Sequence, residues 1–348
     1  MELIKLGKSG IAISPMTIGC WSFGGGAYWG NQSQKDVDEV VHAAIDMGIN
    51  CFDTAELYNG GESEKSLGLA IQGYRPKIVI CSKISPSNCR NVRKHCEESL
   101  QRLKTDYIDI YMVHWPLHAH SLKHFTKDTG IINNPPTAAA VFNQLNELKK
   151  AGLIRSIGIS NFGVTQMKEA VDTAVQVDVN EMPYNILSRA IELEVAPFCL
   201  QEKISLIGSM GLQQGLLTGK YRSAGEVPYN QAHSRHFANQ RGNGTSRHGG
   251  TGEEAEVFKI LDELRVLSEE LQINMTQVSI AWIMAKPFIA STLVGSRTID
   301  QLKTNVAACS IELSKDVVAE IDRISQTLLT KLGPSPDYYE SPANSRIF

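Results

Sequence analysis

The feature that most narrows the fold is a repeating hydrophobic pattern. Short Val- and Ile-rich runs alternate with amphipathic stretches along the whole 348-residue chain. Eight runs centre on Ile18 (MTIGCW), Phe52 (INCFDTA), Ile80 (KIVICSK), Tyr111 (YIDIYMVH), Ile157 (IRSIGISNF), Val179 (VQVDVNEM), Leu206 (KISLIGS) and Leu293 (IASTLVGS). They are apolar on both alternations, which suits parallel strands covered on both faces. Between them, apolar residues recur at helical spacing over residues 37–47, 91–103, 137–150, 165–173, 191–200, 253–271, 276–285, 299–307 and 315–329. Gly48 is placed to end the first of these, and Pro197 is expected to break the fifth. Eight strands with intervening helices and no break in composition predict one α/β domain over residues 1–348, a (β/α)8 TIM barrel. No glycine-rich GxGxxG follows any run, which counts against a Rossmann sheet.

Four stretches fall outside the alternation. Residues 1–16 read as a β-hairpin with Gly10 in its turn, placed to cover the bottom of the barrel. Residues 118–136 and 222–252 read as long loops after the fourth and seventh strands, and so belong to the C-terminal face where barrel active sites form. The tail over 333–348 reads as irregular, with Tyr338 and Tyr339 available to close over a polar ligand.

Composition sets the remaining bounds. At 42% hydrophobic and 20% charged residues the chain can bury a large core, which excludes disorder, collagen and coiled coil. Lys+Arg 34 against Asp+Glu 37 leaves a net charge of −3, so neither nucleic acid nor a membrane is an expected partner. No apolar stretch approaches the ~20 residues of a membrane helix. The N-terminus lacks the layout of a secretory signal. Seven scattered cysteines without a CxxC pair are expected to be reduced, as in a cytoplasmic protein.

Polar residues end three consecutive strands. The second run ends in Asp53, with Tyr58 just beyond; the third ends in Lys83 and the fourth in His114. Each alone has a structural explanation, as a cap, a packed ring or a core histidine. Together at one mouth they suit proton transfer beside a carbonyl. An unperturbed tyrosine titrates near ~10, and a neighbouring ammonium lowers that value. Asp53 would hold the lysine in place, and a neutral histidine would hydrogen-bond the carbonyl oxygen. No side chain supplies a hydride, so the chemistry implies a nicotinamide cofactor.

These motifs resemble the aldo-keto reductase family, whose fold is a (β/α)8 barrel that binds NADP(H) without a Rossmann motif. The resemblance runs from about residue 3 to 325, through CFDTAELYNGGESEKSLG, ICSKI, YIDIYMVHWP, GLIRSIGISNF, LQQGLLTGKY and LVGSRTIDQLKTN. It implies an NADP-dependent oxidoreductase interconverting a carbonyl, in an aldehyde, ketone or sugar-like molecule, and an alcohol. NADP(H) is implied ahead of NAD(H). Tyr58 becomes the general acid, Asp53 and Lys83 its tuning pair, and His114 the group that orients the carbonyl. Ser160 and Asn161 would hold the carboxamide, while Gly19, Cys20 and Trp21 line the nicotinamide end. Gly215, Leu217 and Lys220 would follow the pyrophosphate, and Gly295, Ser296, Arg297, Gln301 and Asn305 the adenosine 2′-phosphate and adenine. Trp21, Tyr58, His114 and Trp115 would face substrate.

Two positions depart from the family pattern. Glu181 stands where glutamine is usual at the carboxamide, and an ionised glutamate only accepts hydrogen bonds. Ser209 stands where many members place an aromatic ring against nicotinamide. The tail resembles those of members acting on sugars and polyols. His118, His120 and His124 form HxHxxxH without an accompanying acid, and no metal site is expected there. Because the family includes channel-associated β subunits that retain the four residues, a cofactor-binding regulatory subunit is the alternative reading.

Overall fold

All eight predicted strands form, and they close. The computed structural model describes the whole chain, Met1–Phe348. After the hairpin strands β1 (Ile4–Lys5) and β2 (Ala12–Ile13) come β3 (Met16–Gly19), β4 (Cys51–Asp53), β5 (Val79–Ile84) and β6 (Ile108–Val113). They are followed by β7 (Ile154–Ser160), β8 (Val179–Pro183), β9 (Ser205–Ser209) and β10 (Ile289–Val294). β3 to β10 pair in chain order, all parallel, and β10 returns to β3 to make a closed barrel. The helices sit where expected because their starts are capped: Ser33, Asn91, Thr137, Asn274, Thr298 and Ser314 each accept an amide of the first turn. Each such cap is worth ~1 kcal/mol. Gly48, at φ 87°, follows the helix Gln34–Asp46 as anticipated.

The structure corrects several expectations. A helix at Glu62–Ala70 between β4 and β5 was not predicted. Its Gly68 reads as a helix breaker, yet a Cβ there would lie 2.7 Å from the backbone of Arg102 and Leu103, so only glycine lets the neighbouring helix approach. Pro197 breaks nothing. It lies in the first turn of the helix Val195–Glu202, where a missing N–H costs little. The actual break lies upstream, after the 3-10 turn Ala190–Glu192. The loop over 118–136 carries two short helices, Ala119–Leu122 and Thr129–Asn133. That over 222–252 carries the 3-10 turns Ala224–Glu226, Tyr229–Gln231 and Asn239–Gly242. No helix is long and apolar enough to cross a membrane.

The barrel interior is layered by the two-residue period of its strands. Side chains at i and i+2 share a face. Cys51, Cys81, Met112, Val179 and Ile207 belong to one buried apolar cluster with Leu6, Ile11 and Ile13 of the hairpin. The hairpin thus stoppers the bottom. Two residues further along the same strands stand Asp53, Lys83, His114, Glu181 and Ser209, so the polar layer at the mouth is the next rung of one inward face. The seven cysteines are free thiols, with Cys51 and Cys81 at 3.6 Å between sulfurs.

Leu6 is fully buried in that stopper. Leu6→Ala should cost ~2–5 kcal/mol, as buried leucine truncations do. Urea midpoints should show this loss while turnover per folded molecule stays unchanged, since the rung of Cys51, Cys81, Met112, Val179 and Ile207 separates Leu6 from the polar layer.

Candidate active site

The turn after β4 aims Tyr58 into the mouth. Asn59, Gly60 and Gly61 have φ of 51°, 64° and 91°, three successive left-handed residues that the sequence NGG can adopt with little strain. Asn59 then donates its side-chain amide to the carbonyls of Trp21 and Phe23, each at 2.9 Å, and fastens this turn to the segment after β3. The Tyr58 ring lies 5.6 Å from the His114 ring, edge to face, and 5.9 Å from Trp21.

Lys83 is the centre of the site. It is fully buried, and its ammonium donates to Asp53 Oδ1 at 2.5 Å, to the Thr54 carbonyl at 3.1 Å and to the Tyr58 hydroxyl at 3.4 Å. Glu181 Oε2 is 3.3 Å away on the other side. Burial opposes the lysine charge, but Asp53 and then Glu181 outweigh it and hold the ammonium well above its ordinary range. Lys83 pulls the Tyr58 phenol downward as expected. Burial, with Asp53 and Glu181 added, nevertheless wins and raises it. The expected lowering of Tyr58 is therefore reversed: the phenol stays protonated at rest, as an acid. Burial, then the Lys83 charge, push His114 well below the usual histidine range, so its imidazole is neutral.

The other predicted residues occupy the same face in different ways. Asn161, at φ 62°, donates to the His114 carbonyl at 3.1 Å and to Ser160 Oγ at 3.0 Å. Glu181 turns to Lys83 and lies on the proton-handling side of the layer. Gly19 and Cys20 are buried beside Asp53, whereas Trp21 is exposed. Gly215 leaves room for the Lys220 side chain, whose ammonium would lie 2.8 Å from a Cβ there. Leu217 and Ser296 are fully buried, the latter accepting from Asn305 at 3.0 Å, so both present backbone rather than side chain. Gly295 is exposed beside them. Arg297 donates to the carbonyls of Trp29 and Asn31, each at 2.6 Å, and its own amide donates to Gln301 Oε1 at 2.9 Å. A cavity of about 370 Å³ opens here, lined by Gln32, Asp36, Glu39, Arg297, Thr298 and Gln301.

Some participants were missed from sequence. Tyr28 stacks on Trp21 at 5.1 Å and Trp29 meets it edge-on at 5.2 Å, so the segment WSFGGGAYWG builds an aromatic wall. Its signal was present: aromatic residues in a glycine-rich loop directly after a barrel strand. The tail is anchored rather than free. Arg346 and Asp337 form a buried two-pronged pair at 2.8 Å, and the guanidinium lies 3.8 Å above the Trp115 ring. Tyr338 does not close over the mouth; it is buried and accepts the Ala190 amide at 2.9 Å. Tyr339 stacks on His233 at 5.0 Å and reaches Met210, next to Ser209. His118 meets the Arg346 carbonyl and His124 meets Glu340.

A closed parallel barrel with a tyrosine, a buried lysine, a carboxylate and a neutral histidine at its C-terminal mouth defines a class of site for proton transfer at a carbonyl oxygen. The family model described as "Aldo/keto reductase family" matches residues 15–326. Protein tas of Escherichia coli is 31% identical over 94% of this chain and 98% of its own. The NADH-specific methylglyoxal reductase of E. coli is 31% identical over 90% and 95%. A probable voltage-gated potassium channel subunit beta of Arabidopsis thaliana is 28% identical over 95% and 98%. In fold, the chain matches an aldo/keto reductase from Klebsiella pneumoniae solved with NADP and acetate, with TM-score 0.69 at 24% identity over 93% and 95%. The chain belongs to the aldo/keto reductase family.

Removing one partner of a buried ion pair costs about 3–5 kcal/mol. Asp337→Ala should therefore release the tail from Trp115. Carboxypeptidase should trim the variant much faster than the parent, and equal trimming would show that other contacts hold the tail.

Proposed function

We propose that this protein is an NADP(H)-dependent oxidoreductase interconverting a carbonyl, in a small aldehyde, ketone or sugar-like substrate, and an alcohol, with Tyr58 as general acid and base. The observation that carries this reading is the Tyr58 hydroxyl set 3.4 Å from a lysine ammonium that is itself pinned by Asp53. In reduction Tyr58 gives its proton to the substrate oxygen, and Lys83 stabilises the phenolate left behind. Neutral His114 steers the oxygen by hydrogen bonding, its Nδ1 being buried without a partner. In alcohol oxidation the phenolate takes the proton back.

The residues present suit a nicotinamide dinucleotide. Ser160 and Asn161 would hold the carboxamide, Gly215 and Lys220 the pyrophosphate, and the helix start at Thr298–Gln301 with Arg297 the adenosine phosphate. The cofactor, when bound, supplies the hydride. Arg297 favours a 2′-phosphate, whereas Asp36 and Glu39 on the same cavity temper that preference. On this reading the cavity is where the choice between the two cofactors is made.

Two measurements test the reading. Tyr58→Phe keeps the ring but loses the acid, and kcat should fall ~10²–10⁴-fold with cofactor affinity nearly unchanged. Lys83→Met should produce a comparable loss. A Tyr58→Phe enzyme of near-parental turnover would favour the regulatory-subunit reading, to which the channel β-subunit relative lends support. Separately, Arg297→Ala should weaken NADPH ~10–100-fold more than NADH, the worth of a charge-assisted contact. Equal losses for the two cofactors would mean that Arg297 serves only to clasp the loop at Trp29 and Asn31.

A further inference from the structure

Two carboxylates, not one, face Lys83 at the buried base of the mouth. Asp53 comes from β4 and Glu181 from β8, and both approach the same ammonium, at 2.5 and 3.3 Å. Two buried oxygens have no hydrogen bond: Asp53 Oδ2, and Glu181 Oε2, the oxygen that faces the ammonium. A buried site with one positive and two negative charges is costly, and a buried carboxylate oxygen with no donor adds to the cost. One proton resolves both problems. Placed on either carboxyl it becomes an O–H donor to the other, and the site returns to neutrality.

The remaining titratable groups around the pair leave this assignment standing. Cys20, after β3, is buried beside Asp53, and burial drives its thiol well above the ordinary range, so it stays neutral. His114, after β6, is neutral for the same reason. Tyr58 carries its own proton. Burial first, and the Glu181 charge second, push Asp53 well above the usual carboxylate range against the pull of Lys83.

We propose that Asp53 and Glu181 share one proton beside Lys83, making Glu181 a positioning residue that sets the pH range over which Tyr58 acts as an acid. The first half stands on two carboxylates meeting one buried ammonium; the second rests on the reading of Tyr58 given above. In the cycle, the Tyr58 O–H bond breaks as the substrate O–H forms. A Lys83 N–H then returns a proton to the phenolate, and the shared carboxyl proton passes to the lysine nitrogen. Both carboxylates end ionised around the restored ammonium, and one proton from water reloads the pair. With glutamine at position 181 no second proton would be held.

The first test uses the cofactor-free protein. Infrared spectra at pH 7 in H₂O and D₂O should show the carbonyl stretch of a neutral carboxylic acid in the wild type. That band should be missing in Glu181→Gln and also in Asp53→Asn, and retained in Tyr58→Phe. A band that persists in both carboxyl variants, or that no wild-type difference spectrum contains, overturns the shared proton. The second test is the alkaline limb of kcat for carbonyl reduction. Once the pair has released its proton at alkaline pH, the second carboxylate charge raises the Tyr58 phenol, so Glu181→Gln should move this limb to lower pH, by about one pH unit, or roughly tenfold in rate at a fixed pH on the limb. An unmoved limb overturns the role of Glu181 in setting the range. Loss of the Tyr58 mechanism would show itself differently, as near-parental turnover in Tyr58→Phe with the infrared band intact.

Discussion

A charged lysine in the interior of a barrel dictates how much of the rest is arranged. Taking an ammonium out of water costs several kcal/mol even after relaxation, and only well-placed opposite charge and hydrogen-bond acceptors repay it. Lys83 has all of these: two carboxylates from different strands, a backbone carbonyl and a phenol oxygen. The arrangement needs the strands in register, with Asp53 paired to Cys81 across β4 and β5 so that Lys83 stands one rung above its neighbour. It needs the turn after β4 folded back so that Tyr58 reaches the ammonium. It also needs a dry floor, which the apolar rungs and the hairpin provide.

How much of this could be read from the chain depends on the range of the interaction. The strands were legible because apolar runs with turn signals report local burial, and Asp53, Lys83 and His114 were legible because they stand at the ends of those runs. The helix Glu62–Ala70 was not, because its glycine answers to a neighbouring helix rather than to its own propensity. Glu181 stands out in sequence for its identity, but its approach to Lys83 does not. Its approach to Lys83 spans the barrel, and only closure of the sheet brings β8 within reach of β5. Pro197 was misread because the same residue that stops a helix interior is welcome in a first turn.

The mouth is built by segments far apart in sequence that hold one another in place. Arg297 clasps the loop at Trp29 and Asn31, Arg247 pairs with Glu340, and Arg346 with Asp337 covers Trp115. Arginine recurs because a planar fork can serve two acceptors and an aromatic face at once. The long polar loops that composition alone would leave open are thereby tied to the rim, and the aromatic wall of Trp21, Tyr28 and Trp29 gains a fixed backing.

The hairpin that closes the bottom has a consequence for traffic. The barrel is filled by its own side chains, and Leu6, Ile11 and Ile13 close its lower end, so only the upper rim is open. Whatever settles against the polar rung must arrive and depart through the same rim.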